Sequence, residues 1–373
     1  MAKYKDFIME KEKLMLLFNG LFDFEQKTEL QVTVPLLGNL VLFTIKSGGD
    51  KVHFINFIKN DHYYNYKNPI VRNMETKYFA RELPEYNDII NALFQSDILK
   101  MQGIKPFMKL IDSIRLQDVT MGGDVYYIAL DTNLLRDRFF STTIKRLPYH
   151  PNIDYVLCST VRDEMMNRLD KITQNNISKM KPIDSHLLRD CFFNQNPLED
   201  RLRNIGFQEY NKMRSETSCE EINAPAFKSS TKNDQVILKT YSEFVEMEKK
   251  VIFLSRDNET VRMMKGENNV IPFLIEQYPV KKDYFSTSWN NCFEFLYILG
   301  ILFGSLHINH PSGLIITLQS VWHKKDAEEW EKELVKVKIK IDNNENSNQL
   351  KNDYCNTLHR CLTRNLSILK LLH

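Results

Sequence analysis

The sequence predicts an α/β protein, with a central parallel β-sheet flanked by an N-terminal α+β module and a C-terminal, β-containing α+β module. Three central segments, "VYYIAL", "NIDYVLCST" and "KKVIFLSRD", carry continuous apolar stretches. Such stretches are typical of strands buried on both faces, and the helical patterns between them favour a parallel arrangement covered by helices. Segments on either side alternate between apolar and polar residues, which indicates strands with one wet face.

Length and composition define the broad class. The chain has 373 residues, 43% of them hydrophobic and 26% charged, and its formal net charge is +2. This length indicates two or three domains, and the composition excludes wholesale disorder. We place the boundaries at 1–118, 119–278 and 279–373. A near-neutral charge does not by itself indicate nucleic-acid binding, although it permits a local basic groove.

The first module begins with a predicted β-hairpin, "ELQVTVPLLGNLVLFTIKSGG", in which Pro35 and the Gly38-Asn39 pair mark the turn. "KVHFINFI" is a candidate third strand, and two segments with apolar residues at helical spacing follow it. The aromatic stretch "NDHYYNYKNP" is predicted to be a loop. Its tyrosines could stack on bases, but packing is the favoured interpretation.

The central region contains further elements around its three apolar strands. A long helix is predicted from about Asp234 to Glu248, and "NNVIPFLI" is a candidate fourth strand. The segment from Lys171 to Lys228 is polar and helical in places. We interpret it as a helical insertion.

The third region opens with the most apolar segment of the chain, "CFEFLYILGILFGSLHI", from Cys292 to Ile308. Its uninterrupted apolar part is shorter than the ~20 residues that a membrane span needs, so a buried core helix is favoured. "GLIITLQSVW" and "ELVKVKIKID" alternate and predict half-buried strands. A polar linker, "NNENSNQ", precedes an amphipathic helix that closes the chain.

The sequence predicts no secretory signal peptide and no paired-cysteine motif. The opening segment "MAKYKDFIMEKEK" lacks the apolar stretch of a signal peptide, and no CxxC pair occurs among six cysteines. We therefore expect reduced thiols and a cytoplasmic protein that is not embedded in a membrane.

Four carboxylates follow strand ends or open helices in the central region: Asp131, Glu164, Asp234 and Asp257. In a parallel sheet covered on both faces, ligands bind beyond the carboxyl ends of the strands. Gathered carboxylates repel one another, and Mg²⁺ or Mn²⁺ would neutralise them and support phosphodiester hydrolysis. For any single position a helix cap is favoured, with Asp234 as an N-cap and Glu164 in a capping box.

The order and the residue types of the four segments that carry these carboxylates resemble the PIN-domain family of nucleases. The segments are "ALDTN", "CSTVRDEM", "KNDQVI" and "VIFLSRDNE", and they occur in the family's order over about 122–275. The separation between Glu164 and Asp234 is longer than in compact PIN domains. The flanking regions match no family that we can name.

The resemblance implies a PIN-like fold and a Mg²⁺- or Mn²⁺-dependent endoribonuclease acting on single-stranded RNA. It assigns the catalytic and metal-ligating roles to the four carboxylates, and the orienting roles around them to Asn133 and Ser255. PIN nucleases often form dimers, so a homodimer is one expected assembly. A structure-selective DNA nuclease and a catalytically inactive binding module on the same scaffold are the alternatives.

Two arginines are candidate contacts for substrate phosphates. Arg162 and Arg256 each lie next to a segment that carries a proposed metal ligand. Arginine is well suited to phosphate because its planar fork donates two parallel hydrogen bonds.

A zinc site near the C-terminus is a separate hypothesis. Cys355, His359 and Cys361 lie within seven residues, and His373 would be the fourth ligand. The usual CxxC spacing is missing. Free cysteines are mostly buried, so cysteines packed on an amphipathic helix are the favoured interpretation.

Overall fold

A computed structural model describes residues 6–22, 28–74, 77–118, 121–166, 170–224, 233–245, 249–341 and 349–372. The chain is mixed α/β, as predicted, and contains one parallel and one antiparallel sheet. It forms two compact units. The first unit comprises residues 1–98, 169–198 and 280–373, and the second comprises residues 99–168 and 199–279.

The strands, in chain order, are β1 Phe7–Glu10, β2 Glu29–Val34, β3 Leu40–Gly48, β4 Lys51–Ile55, β5 Tyr126–Leu130, β6 Ile153–Cys158, β7 Glu220–Ile222, β8 Lys250–Ser255, β9 Val270–Leu274, β10 Phe285–Ser288, β11 Ser305–Asn309, β12 Leu314–Gln319 and β13 Leu334–Ile341.

The α-helices are α1 Leu14–Phe22, α2 Asn60–Arg72, α3 Tyr86–Gln95, α4 Ile104–Ile114, α5 Thr132–Arg136, α6 Phe139–Thr142, α7 Ser159–Met165, α8 Gln174–Lys179, α9 Ser185–Phe192, α10 Leu198–Glu216, α11 Asn233–Val245, α12 Asn258–Met264, α13 Trp289–Phe303, α14 Ala327–Glu331 and α15 Gln349–Leu372.

The first unit is built on an antiparallel sheet of eight strands in the order β1-β13-β12-β11-β2-β3-β4-β10. The predicted hairpin is confirmed as β2 and β3, joined by a turn in which Gly38 has a φ of 65°. The sequence predicts two separate flanking modules. The two flanking regions share this one sheet instead, because β1 pairs with β13 and β2 pairs with β11.

The apolar helix α13 forms part of the core of the first unit, with its side chains from Cys292 to Phe303 almost all buried. The apolar pattern predicts a helix that continues to Ile308. The helix ends at Phe303, because Gly304 adopts a φ of 74° and turns the chain into β11. In the part of the chain that the structure describes, no helix is both long enough and apolar enough to cross a membrane.

The prediction of a loop over "NDHYYNYKNP" is wrong, because this stretch forms most of α2. Tyr63 and Lys67 lie four residues apart on the buried face of the helix. Both donate hydrogen bonds to the carbonyl oxygen of Pro84, at 2.6 Å and 2.9 Å. The tyrosine therefore anchors the helix to the chain before α3, which accords with packing rather than base stacking.

The second unit contains a five-stranded parallel sheet in the order β7-β6-β5-β8-β9. The four predicted central strands are confirmed as β5, β6, β8 and β9. The short strand β7 was not predicted. The chain adds strands on one side of β5 and then on the other, so a topological switch point lies between β5 and β8, where crevices form beyond the carboxyl ends.

The predicted insertion from Lys171 to Lys228 contains helices α8, α9 and α10 and the strand β7. Its first part, to Leu198, belongs to the first unit. Residues 225–228 of this segment, and 343–348 of the predicted polar linker, lie outside the described residues.

The C-terminal segment forms the helix α15, as predicted. Cys355 is buried and Cys361 is exposed, so these two cysteines do not lie on the same helix face. His373 lies outside the described residues. The burial of Cys355 agrees with the packing interpretation of this segment, whereas the exposure of Cys361 contradicts it.

Candidate active site

Asp131 lies where the central strand of the parallel sheet ends. Its backbone N–H donates to the carbonyl oxygen of Leu254 in β8 at 3.0 Å, so the pairing of β5 with β8 continues to this residue. The apolar sequence of β5 places the residue after it at the carboxyl edge of the sheet. There the Asp131 residue is only 5% exposed.

The Asp131 carboxylate accepts hydrogen bonds on both oxygens. Oδ1 accepts from the backbone N–H of Thr132 at 2.7 Å, and Oδ2 accepts from the Ser255 hydroxyl at 2.7 Å. The amide of Asn133 lies 3.5 Å from Oδ2, at the limit of a hydrogen bond. The two predicted orienting residues therefore both lie beside this carboxylate, and Ser255 makes the shorter contact.

Burial raises the pKa of Asp131 to about 6. The hydrogen bonds from Ser255 and Thr132 oppose this effect, whereas the negative charges of Glu164 and Asp234 add to it. A buried carboxylate that still feels two like charges is costly to ionise. The structure thus brings Glu164 and Asp234 each into electrostatic range of Asp131.

Glu164 is held towards this edge by a contact that the sequence did not reveal. It lies on α7, which follows β6, and its Oε2 accepts a hydrogen bond from the hydroxyl of Thr132. Thr132 directly follows Asp131. The only signal in the sequence was a hydroxyl residue next to the first candidate ligand, and such a signal does not identify the partner.

Asp234 lies in the first turn of α11 and is partly exposed. The same helix carries Tyr241, a fully buried residue whose hydroxyl accepts a hydrogen bond from the backbone N–H of Cys158 at 3.2 Å. Cys158 is the N-cap of α7. Tyr241 therefore connects the helix that carries Asp234 to the start of the helix that carries Glu164.

Asp257 is the N-cap of α12 and accepts hydrogen bonds from the N–H groups of Glu259, at 2.7 Å, and Thr260, at 3.3 Å. The helix-cap interpretation therefore holds for Asp257. It is wrong for Glu164, which binds Thr132 and makes no capping box on α7, and for Asp234, which follows the first residue of α11. Asp257 is linked to Asp131 through Ser255, whose hydroxyl accepts from the Asp257 N–H at 2.9 Å.

The two candidate phosphate contacts are engaged in ion pairs. Arg256 lies 2.6 Å from Oδ2 of the buried Asp137. Arg162 pairs with Glu221 and, at 3.2 Å, with Asp163. Because successive helical residues are rotated by about 100°, Arg162 and Glu164 leave roughly opposite sides of α7. Arg162 is therefore directed away from Asp131.

The carboxylate and hydroxyl oxygens at the carboxyl edge of the parallel sheet are of the type that binds a hard divalent cation. Buried ionised carboxylates also need a compensating charge. Across the described ranges, no three His, Cys, Asp or Glu side chains lie close enough to hold one ion in their present positions. The oxygen atoms suit Mg²⁺ or Mn²⁺ chemically, but the described carboxylates would have to move closer together to coordinate one ion.

Comparisons with models of protein families, with curated proteins and with solved structures find no match to this chain.

Proposed function

We propose that this protein is a divalent-metal-dependent nuclease with a PIN-like catalytic domain, and that it acts as an endoribonuclease on single-stranded RNA. The observation that carries the proposal is geometric: Asp131 is 5% exposed at the switch point of the parallel sheet, Ser255 binds its carboxylate, and the adjacent Thr132 binds Glu164. Burial raises the pKa of Asp131 to about 6, in keeping with such a site. Perturbed carboxylates in a crevice are characteristic of functional sites.

The arrangement of charges around Asp131 is energetically costly. Ionising the buried carboxyl of Asp131 near neutral pH costs free energy, and the negative charges of Glu164 and Asp234 raise that cost. A residue selected only to cap α5 would not need such neighbours. A Mg²⁺ or Mn²⁺ ion would offset the repulsion, with Asp131, Glu164, Asp234 and Asp257 as its protein ligands.

When bound, such an ion supplies Lewis-acid polarisation of a phosphate oxygen and of the attacking water. The chain's own side chains orient the ligands. Ser255 holds Oδ2 of Asp131, and Thr132 holds Oε2 of Glu164. Ser255 also accepts from the backbone of Asp257, so one hydroxyl links two proposed ligands.

The substrate assignment rests on the resemblance of the four acidic segments to PIN nucleases. A structure-selective DNA nuclease would use the same carboxylates. A binding module without turnover is the second candidate, because within the described ranges no three acidic, His or Cys groups are within coordinating reach of one ion.

The experiment is a side-by-side cleavage assay on single-stranded RNA, single-stranded DNA and a flapped DNA duplex. Wild-type protein, Asp131→Asn and the exposed control Asp112→Asn are each tested with Mn²⁺, with Mg²⁺ and with EDTA. The proposal expects RNA cleavage that EDTA and Asp131→Asn abolish and Asp112→Asn preserves.

Preferential cleavage of the flapped duplex would replace RNA with DNA as the substrate. RNA binding without turnover in either metal would favour the binding module. Equal cleavage by wild type and Asp131→Asn would refute the proposed site.

A further inference from the structure

Arg256 lies between two residues of the candidate site, because Ser255 ends β8 and Asp257 caps α12. Its guanidinium does not extend freely into solvent. Nη1 donates to Oδ2 of Asp137 at 2.6 Å, and Nη2 donates to Oε1 of Gln277 at 3.3 Å. The Arg256 side chain is 31% exposed, whereas that of Asp137 is 4% exposed.

Asp137 directly follows α5, and its backbone N–H donates to the carbonyl oxygen of Asn133 at 3.0 Å. The five-residue helix α5 thus begins after Asp131 and ends before Asp137. Two adjacent residues, the last of β8 and the first of the turn that follows it, hold the two ends of α5. Ser255 binds Asp131 at one end, and Arg256 binds Asp137 at the other.

This double attachment bears on the role of Arg256. A substrate phosphate would compete with a buried carboxylate for the same guanidinium. Moving the arginine away would leave the charge of Asp137 buried without its partner, which is strongly unfavourable. The ion pair also fixes α5, whose first residue, Thr132, donates to Glu164.

We propose that Arg256 is a positioning residue that, through its ion pair with Asp137, holds α5 and the β8–α12 turn in register and so keeps Asp131 and the Thr132–Glu164 contact in place at the candidate site. The inference rests on the proposed function and replaces the phosphate-binding role that its place in the sequence suggested for Arg256. Arg256 acts through the protein and makes no contact with RNA.

The test is a double-mutant cycle with Arg256→Gln, Asp137→Asn and the combined variant. Arg203→Gln is the matched control, since Arg203 pairs with Glu199 and Asp200 on α10. For each protein we would measure Mn²⁺ affinity by calorimetry, and kcat and KM for single-stranded RNA. Near-UV circular dichroism would report folding, and Arg256→Lys would take the place of Arg256→Gln if that variant did not fold.

A positioning role predicts that each single variant loses about 10–100-fold in Mn²⁺ affinity or kcat, with KM within about twofold of wild type. The double variant would lose no more Mn²⁺ affinity or kcat than the more impaired of the two single variants, because both substitutions break the same ion pair. Arg203→Gln would behave as wild type.

A substrate contact predicts different results, which would overturn the inference. Arg256→Gln would raise KM, and it would reduce the slope of log RNA affinity against log salt concentration by about 1. Asp137→Asn would leave kcat and Mn²⁺ affinity intact. Effects that simply add in the double variant would also overturn it. If wild type neither bound Mn²⁺ nor cleaved RNA, the proposed function itself would fail, and the inference would fail with it.

Discussion

The hydroxyl of Ser255 donates a 2.7 Å hydrogen bond to Oδ2 of Asp131, and it joins the ends of two adjacent parallel strands. The same oxygen accepts the backbone N–H of Asp257 at 2.9 Å. Ser255 is completely buried. One side chain therefore fixes the central carboxylate of the candidate site and orients the turn that carries a second one.

Asp131→Asn is expected to stabilise the protein while removing its activity. The pKa of Asp131 is about 6 in the folded protein, against an ordinary value of 3.8 for an aspartate carboxyl. Folding therefore favours the protonated form, so this residue lowers stability progressively as pH rises from about 4 to about 6. Above that range the cost is complete, at about 3 kcal/mol for a two-unit shift.

Urea unfolding of wild type and Asp131→Asn at pH 4.5 and 7.5 measures this difference. We expect the variant to exceed wild type in free energy of unfolding by up to about 3 kcal/mol at the higher pH and by less at the lower pH. Asp112→Asn, at an exposed helical position, is the control. A variant that is less stable than wild type at pH 7.5 would contradict the claim that ionisation of the buried Asp131 destabilises the folded protein.

Ser255→Ala is expected to move the acid limb of the pH–rate profile to higher pH. Metal binding requires ionised Asp131, so when Mn²⁺ is limiting the wild-type rate should rise with pH through about 6. The Ser255 hydroxyl favours the charged form, and its removal raises the pKa of Asp131 further. We also expect kcat to fall about 10–100-fold.

The measurement is kcat/KM for RNA cleavage at a limiting Mn²⁺ concentration between pH 5 and 8.5, where the rate follows metal binding to ionised Asp131. Ser113→Ala is the control, because its hydroxyl bonds only locally on α4, to the carbonyl oxygen of Leu110. An unchanged acid limb in Ser255→Ala would show that this hydrogen bond does not control the essential ionisation.

Tyr241→Phe tests the connection between α11 and α7. The change keeps the buried ring and removes the oxygen that accepts from the Cys158 N–H. A buried donor left without its acceptor costs about 1–3 kcal/mol. We expect a matching loss in unfolding free energy, together with lower kcat, because the helices carrying Asp234 and Glu164 lose a shared contact.

Tyr149→Phe provides the control, since Tyr149 is 89% exposed. Denaturant titration and RNA cleavage are measured on both variants. A Tyr241→Phe protein with wild-type stability and activity would show that the hydroxyl does not help to position the two helices.

Gly304→Ala tests the end of α13. Gly304 has a φ of 74°, and a Cβ there would lie 2.7 Å from ring atoms of Phe192. Gly38 also has a positive φ, 65°, but a Cβ added there would have no atom within 4 Å. Gly38→Ala therefore gives the cost of a left-handed α backbone without a clash, about 1–2 kcal/mol, whereas Gly304 combines its positive φ with a ψ of −45°.

We expect Gly304→Ala to lose at least about 1 kcal/mol more than Gly38→Ala, because overpacking against Phe192 and a less favourable ψ both add to the cost of a positive φ. Thermal unfolding of both variants gives the comparison. Equal losses would indicate that Phe192 moves aside without cost, and the close approach would not explain the glycine.

The sequence predicted the parts of the fold that local patterns encode. The strands β5, β6 and β8 were recognisable because continuous apolar stretches are unusual outside buried sheets. The strand β7 was not, because Glu220–Ile222 is short and two of its three residues are acidic. The helix α13 was predicted five residues too long, since the apolar pattern continues through β11 and only Gly304 marks the change.

Long-range pairing was beyond local patterns. Strands β1 and β13 lie at opposite ends of the chain, and nothing in either segment specifies the other. The same applies at the candidate site. The strand ends predicted that Asp131 would face a crevice, but the contacts of Thr132 with Glu164 and of Arg256 with Asp137 depend on residues brought together only by folding.

The most direct test of the central claim is anomalous diffraction from a crystal of the wild-type protein soaked in Mn²⁺. The account predicts an anomalous peak contacted by Asp131 and bordered by Glu164, Asp234 and Asp257, and no such peak in Asp131→Asn crystals. Well-ordered wild-type carboxylates without a peak at saturating Mn²⁺ would contradict it.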